Sequence, residues 1–195
     1  MWDQRYAEPG FAYGTEPNDF LVQQAHRLAP ESRVLCLAEG EGRNGAFLAS
    51  LGHAVTAVDL SLVGLQKASQ LAQSRGLSIE TVHADLATYT PEEGAWDAVV
   101  LIWAHLPPPV RALVHRRAAA ALRPGGHVLL EAYTPEQIPL NTGGPRTADL
   151  LYTPDLLAQD FAGLHVEHLW ADEREVHEGR YHDGLSAVVQ LVARR

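Results

Sequence analysis

Five short apolar runs mark the chain between residues 33 and 133: RVLCLA (33–38), HAVTAVDL (53–60), SIETVHA (78–84), WDAVVLIW (96–103) and HVLLEAY (127–133). They are near-continuous in Val, Ile and Leu, the pattern of strands buried on both faces of a parallel sheet. Helical stretches separate them. Asn44 to Ser50 follows a glycine turn, and Ser61 is placed to cap a helix from Leu62 to about Ser74 that Gly76 ends. Pro107 to Leu122 stops at Pro124-Gly125-Gly126. Asn18 to Leu28 predicts an additional helix upstream, and Thr153-Pro154-Asp155 predicts a helix start downstream. Two final strands, about 165–171 and 185–193, are separated by a polar segment short enough for an antiparallel, hairpin-like pair. This alternation predicts a doubly wound α/β fold with right-handed crossovers. Neither a repeat nor a linker divides the chain. One domain over 1–195 is expected, with 1–30 as an N-terminal lid and helix on a core spanning 31–195.

Composition narrows the partners. Lys+Arg 15 against Asp+Glu 24 gives a formal charge of -9, which disfavours a nucleic-acid polyanion. Cys36 is the single cysteine; it excludes a disulfide framework and suits a reducing cytoplasm. MWDQRYAEPG lacks the charged-then-apolar secretory pattern, and no apolar run approaches the roughly 18 residues of a membrane span. A soluble cytoplasmic protein is expected, monomer or homodimer, with no membrane partner.

The chemistry concentrates at GEGRNG (40–45), a G-x-G-x-x-G between a strand and a helix. Gly40 permits the tight turn and Gly42 lets a ligand approach the backbone. Asp59 ends the second strand, where a carboxylate can accept from both hydroxyls of an adenosine ribose. An ordinary glycine turn with a capping aspartate is the bland alternative. Glu39 and Glu41 flank the glycines and would repel a pyrophosphate at this helix N-terminus, although Arg43 offsets one of them. S-adenosylmethionine has no phosphate and carries an ammonium and a sulfonium, so the charge pattern favours it. After the third strand, Asp85 can accept from an adenine amino group and Leu86 N–H can donate to a ring nitrogen; a turn cap is the alternative for Asp85.

Taken in order, VLCLAEGEGRNG, VDLS, HADL, WDAVVLIWAHLP and LRPGG resemble the motifs of class I S-adenosylmethionine-dependent methyltransferases. The first is similar to that of the tellurite-resistance and thiopurine-type small-molecule group. The resemblance implies a mostly parallel seven-stranded sheet with an antiparallel last strand. Carried over residue by residue, it implies a cofactor set of Glu39, Gly40, Gly42, Arg43, Asn44, Asp59, Leu60, Asp85, Leu86 and Trp103, the last with core packing as its simpler reading. The chain departs from the pattern at one place. Cys36 stands where the usual acid does and Ala38 replaces the first glycine, which leaves Glu39 as the candidate to orient the methionine ammonium, directly or through water.

Methyl transfer from a sulfonium needs collinear positioning and exclusion of water more than a catalytic dyad. The acceptor pocket is expected in loops at the carboxyl ends of the strands. His105 can act there as base or orienter, or be a structural histidine at a helix start. Tyr133 can contact the acceptor or close over the donor. Arg146, in a long loop over 134–150, can grip an anionic acceptor or be solvated. Tyr13 belongs to an aromatic N-terminal segment with Trp2, Tyr6 and Phe11, either a lid or a clasp on the core. REVHEGRYHDG (174–184) gathers Glu175, His177, Glu178, His182 and Asp183, but without the spacing of a metal site. His177 and His182 are therefore assigned to the pocket and no metal is expected. By resemblance the acceptor is a small molecule with a soft nucleophile such as a thiol; a carboxylate or amine is the alternative. An NAD(P)-binding oxidoreductase and a non-catalytic S-adenosylmethionine-binding protein are the competing readings.

Overall fold

The computed structural model describes all 195 residues. Strands β1 (Arg33–Leu37), β2 (Ala54–Asp59), β3 (Glu80–His83), β4 (Trp96–Ile102) and β5 (Leu122–Tyr133) run parallel. Strands β6 (His165–His177) and β7 (Asp183–Arg194) are antiparallel to each other, and β7 is antiparallel to β5. The sheet order is β3-β2-β1-β4-β5-β7-β6, so the expected seven-stranded sheet with a reversed last strand is present. Helices α1 (Trp2–Tyr6) and α2 (Asp19–Gln24) precede it. Helices α3 (Arg43–Ser50), α4 (Leu62–Ser74), α5 (Pro108–Ala121), α6 (Gln137–Leu140) and α7 (Pro154–Asp160) follow in turn.

Alternation within the strands divides the core between the two faces. Leu35, Leu37, Val99, Leu101 and Leu130 pack with Val114 and Ala118 of α5 and Leu157 of α7. Val34, Cys36, Ala98, Val100 and Leu129 face Phe20 and Leu21 of α2 and Leu48 of α3. Cys36 is thus a fully buried core side chain. The caps are where the residue types require them. Asn18 accepts from Leu21 N, Ser61 from Gly64 N and Thr153 from Leu156 N.

Two expectations are corrected. The polar segment before β7 is mostly strand, because pairing runs out to His177↔Asp183. β6 is one of the sheet's two edges, where outward positions meet water and charged side chains discourage further pairing; its polarity marks a solvated strand. Likewise β5 begins at Leu122, not 127. Trp96 pairs with Leu122 and Ala98 with His127, so the Pro-Gly-Gly turn is a bulge within the strand, with Gly125 at φ +85°. No helix is long and apolar enough to cross a membrane.

Candidate active site

The β1–α3 connection turns through three left-handed residues, Ala38 (φ +55°), Gly40 (φ +63°) and Gly42 (φ +87°). Gly42 is constrained from within the fold: a Cβ there would lie 2.5 Å from Ala68 of α4. That contact with α4 by itself requires glycine at this position, independently of any ligand. A Cβ on Gly40 would lie 2.7 Å from the Tyr6 hydroxyl. Asp59, buried at the end of β2, accepts from Gly40 N and Ser61 N, both at 2.8 Å. It therefore braces the glycine turn against the start of α4. Beside it, Leu60 is exposed and Leu86 is buried. Asp85 is exposed, and its carboxylate accepts from Ala87 N at 2.8 Å, the turn-capping geometry.

Two carboxyls in this loop are short of compensating charge. Burial pushes Glu39 up to about 7, against the Gly45 N–H it accepts at 2.6 Å and the nearby Arg43. Burial also raises Asp59, against its backbone donors. A cation brought beside a desolvated carboxyl favours its ionised form, so an ammonium or sulfonium placed here would offset the cost of burial. Glu41 differs, because Lys67 Nζ stands 2.9 Å away and Ala12 N donates to it at 2.7 Å. The donor set at Glu39 and Asp59 fits a cationic, phosphate-free nucleoside.

Arg43 and Asn44 hold other protein segments. Asn44 accepts from Asn18 N at 2.9 Å, and Arg43 pairs with Glu178 at 2.5 Å. Glu178 lies in the tight turn between β6 and β7, and it also accepts from Asn18 Nδ2 at 2.8 Å and Trp103 Nε1 at 2.5 Å. Burial works to raise its pKa, but His182, Arg43 and Trp103 outweigh it and hold the carboxyl far below the ordinary range. A second buried carboxylate, Glu131 of β5, accepts from Asn18, from Gln190 and twice from Arg174. Residues 8–18 are clamped between the glycine loop and this turn, with Arg180 N donating to Ala12 O and Tyr181 to Glu8.

The network holds an aromatic box. Trp103, at φ +58° just after β4, stacks on Tyr133 with centroids 4.2 Å apart. His182 meets both rings edge-on at 5.2 Å and lies 4.6 Å from Tyr13. Tyr133 Oη and His182 Nδ1 are buried with no partner within hydrogen-bond distance, and the Glu178 carboxylate faces His182 Nδ1 from 3.8 Å. Burial keeps the Tyr133 hydroxyl protonated and lowers His182 toward its neutral form. Tyr133 Oη can therefore donate to a ligand, and the neutral His182 ring can take a proton, the Glu178 carboxylate being placed to stabilise the imidazolium.

His105 is placed otherwise. Its Nδ1 bonds Leu150 O at 2.8 Å and its Nε2 accepts from Tyr133 N at 3.3 Å; burial pushes it down to about 4. Both ring nitrogens are engaged, so of the two readings of His105 the geometry favours the structural one, a histidine that joins the end of β5 to the loop at Leu150. His177 is exposed and bound to Asp183 at 2.7 Å, apart from the box. Arg146 is exposed in the 141–146 loop and donates to Asn141 Oδ1 at 2.6 Å. Sequence reasoning missed Asn18, Glu131 and the part played by Glu178. The available signal was a helix-capping asparagine and acids in unusual number near one turn.

Residues 34–126 match the family model described as a methyltransferase domain. No curated protein sequence matches significantly. Among solved structures, the chain is similar to a protein described by the conversion of a disulfide bond into a thioacetal group during echinomycin biosynthesis, with TM-score 0.75 and 22% identity over 92% of this chain and 82% of the other. It is also similar to TehB from Haemophilus influenzae, with TM-score 0.76 and 18% identity over 100% of this chain and 65% of that longer one. A SAM-dependent methyltransferase from Methanosarcina mazei follows, with TM-score 0.71 and 16% identity over 92% and 98%. The chain has the Rossmann-like methyltransferase fold, and the part of it that matches the methyltransferase domain spans the glycine loop, Asp59, Asp85 and Trp103.

Proposed function

We propose that this protein transfers a methyl group from S-adenosylmethionine to a small-molecule acceptor, a thiol or another soft nucleophile. The observation that carries the reading is a juxtaposition at the carboxyl ends of the strands. Undercompensated carboxyls, Glu39 and Asp59, lie beside β1 and β2, and a box with two unpartnered polar atoms lies beyond β4 and β5. When bound, the cofactor supplies an electrophilic methyl on a sulfonium. Asp59, with Leu60, Asp85 and Leu86 beside it, would hold the nucleoside, and Glu39 would face the ammonium. Trp103, Tyr133 and Tyr13 exclude water, which favours displacement on a cation. Tyr133 Oη orients the acceptor, and neutral His182 takes a proton from one that needs to lose it. A thiol near neutrality needs little such help. The sulfur chemistry named for the echinomycin-pathway neighbour supports a soft acceptor.

Calorimetric titration with S-adenosylhomocysteine, then a panel of thiols, amines and carboxylates assayed for its release, tests the reading. Preferential binding of NAD(H), or no binding of either sulfur nucleoside, would overturn it. Affinity for S-adenosylhomocysteine should rise up to about tenfold between about pH 6 and about pH 8 as Glu39 ionises, and Glu39→Gln should flatten that rise. The sign for stability is opposite. The folded carboxyl binds its proton more tightly than the unfolded chain's, so its contribution is lost as pH rises through about 7. Glu39→Gln should therefore stabilise the protein at about pH 8 by about 1–3 kcal/mol, read from urea unfolding. His105→Ala should cost about 1–3 kcal/mol of stability, with turnover per folded molecule nearly kept; a collapse of turnover alone would restore it as a base.

A further inference from the structure

An open pocket of about 450 Å³ lies between the 141–146 loop and the tip of the β6–β7 hairpin. Arg146, Arg180 and Asp183 bring charge to its lining, but their charges are not equally free. Asp183 is engaged by His177 at 2.7 Å, and Arg180 shares Glu8 at 3.1 Å. Arg146 bonds only the neutral amide oxygen of Asn141. Its guanidinium is the pocket's uncompensated charge, in a protein that is otherwise acidic.

The pocket adjoins the aromatic box through a single layer of backbone. A Cβ on Gly143 would fall 2.7 Å from Tyr133 Oη and 2.9 Å from His182 Cδ2; one on Gly144 would fall 2.5 Å from the Tyr133 ring. Both glycines line the pocket. Gln137 fixes that wall, donating to Thr142 Oγ1 at 2.9 Å and Gly143 O at 3.2 Å while accepting from Ala187 N at 2.8 Å. A cation thus stands on one side of a thin, anchored wall, and two unpartnered polar atoms stand on the other.

We propose that this pocket anchors the methyl acceptor, and that the acceptor carries an oxyanion, a carboxylate or sulfonate, at the end remote from its nucleophile. The inference rests on the methyl-transfer reading and names its substrate class. Arg146 takes the oxyanion in its planar fork. Tyr133 Oη and His182 Nδ1 are covered by this wall, so the anchored molecule presents its nucleophile to them by displacing the Gly143–Gly144 edge.

The test is calorimetry on the full chain. S-adenosylhomocysteine is titrated first. Then 3-mercaptopropionate, 2-mercaptoethanesulfonate and neutral 3-mercapto-1-propanol are each titrated into the loaded protein. The anionic thiols should bind about tenfold or more tightly than the alcohol. The carboxylate and sulfonate arms show which oxyanion the fork prefers. Arg146→Gln, at an exposed position that the fold does not depend on, should remove the preference while leaving S-adenosylhomocysteine binding unchanged. Equal binding of charged and neutral thiols overturns the proposal. So does an unchanged preference in Arg146→Gln, or no anionic binding at about 10 mM, well above the about 1 mM that a weak site shows. Failure of the first titration alone, with the Arg146-dependent preference kept, overturns the methyl-transfer reading instead.

Discussion

Glu178→Ala is expected to destabilise the folded protein by about 3–5 kcal/mol, the cost of leaving a buried cation without its partner. Arg43 is the cation, buried and paired to Glu178 at 2.5 Å. The same substitution also strips Asn18 Nδ2 and Trp103 Nε1 of an acceptor. Urea unfolding at neutral pH measures the loss, and a change below about 1 kcal/mol would remove Glu178 from the centre of the network. The effect should depend on pH. Glu178 in the fold holds its proton more weakly than in the unfolded chain, so its contribution is complete above about pH 4.5 and fades as pH falls. The difference between wild type and variant should therefore shrink in acid. Glu178→Gln, whose single amide oxygen can accept from only one of Asn18 and Trp103 and which offers no charge to Arg43, should fall between wild type and Glu178→Ala.

Asp59→Ala should weaken S-adenosylhomocysteine binding by about 1–3 kcal/mol, the range for hydrogen bonds to a charged group. It should also cost stability, because Gly40 N and Ser61 N both donate to that carboxylate. The stability loss is expected near about 1–3 kcal/mol, since relief of a desolvated charge offsets part of it. Asp59→Asn separates the two effects, because an amide oxygen can still accept from one backbone donor while the charge is gone. A variant that loses stability with an unchanged dissociation constant would make Asp59 a brace for the glycine turn alone.

What could be read from the residues follows how local each cause is. Strands β1, β4 and the end of β5 were legible because burial on both faces makes them continuously apolar. Ser61 and Thr153 were legible because a cap is satisfied within three residues. β6 was shortened because an edge strand is half solvent-facing, so its polarity resembles a loop's. The buried network was hidden by distance. Asn18 meets Glu131 across 113 positions and Glu178 across 160. No spacing rule pairs residues so far apart. His105 was ambiguous because the order of residues does not say which carbonyls and amides surround a ring.

The position of β7 in the sheet has a consequence for the order in which the molecule assembles. β6 emerges from the ribosome before β7 yet can join the sheet only through it, since β7 lies between β5 and β6. A nascent chain that has exposed β6 therefore holds a thirteen-residue strand with no native strand neighbour. Glu167, Asp172, Glu173 and Glu175 make that strand a poor template for the strands of other chains while it waits. The Glu178 turn closes on Arg43 after that insertion, which makes the aromatic box one of the late-ordering parts of the fold. Slow hydrogen exchange should reach β1 and β4 first during refolding, and the backbone around Trp103 and His182 last.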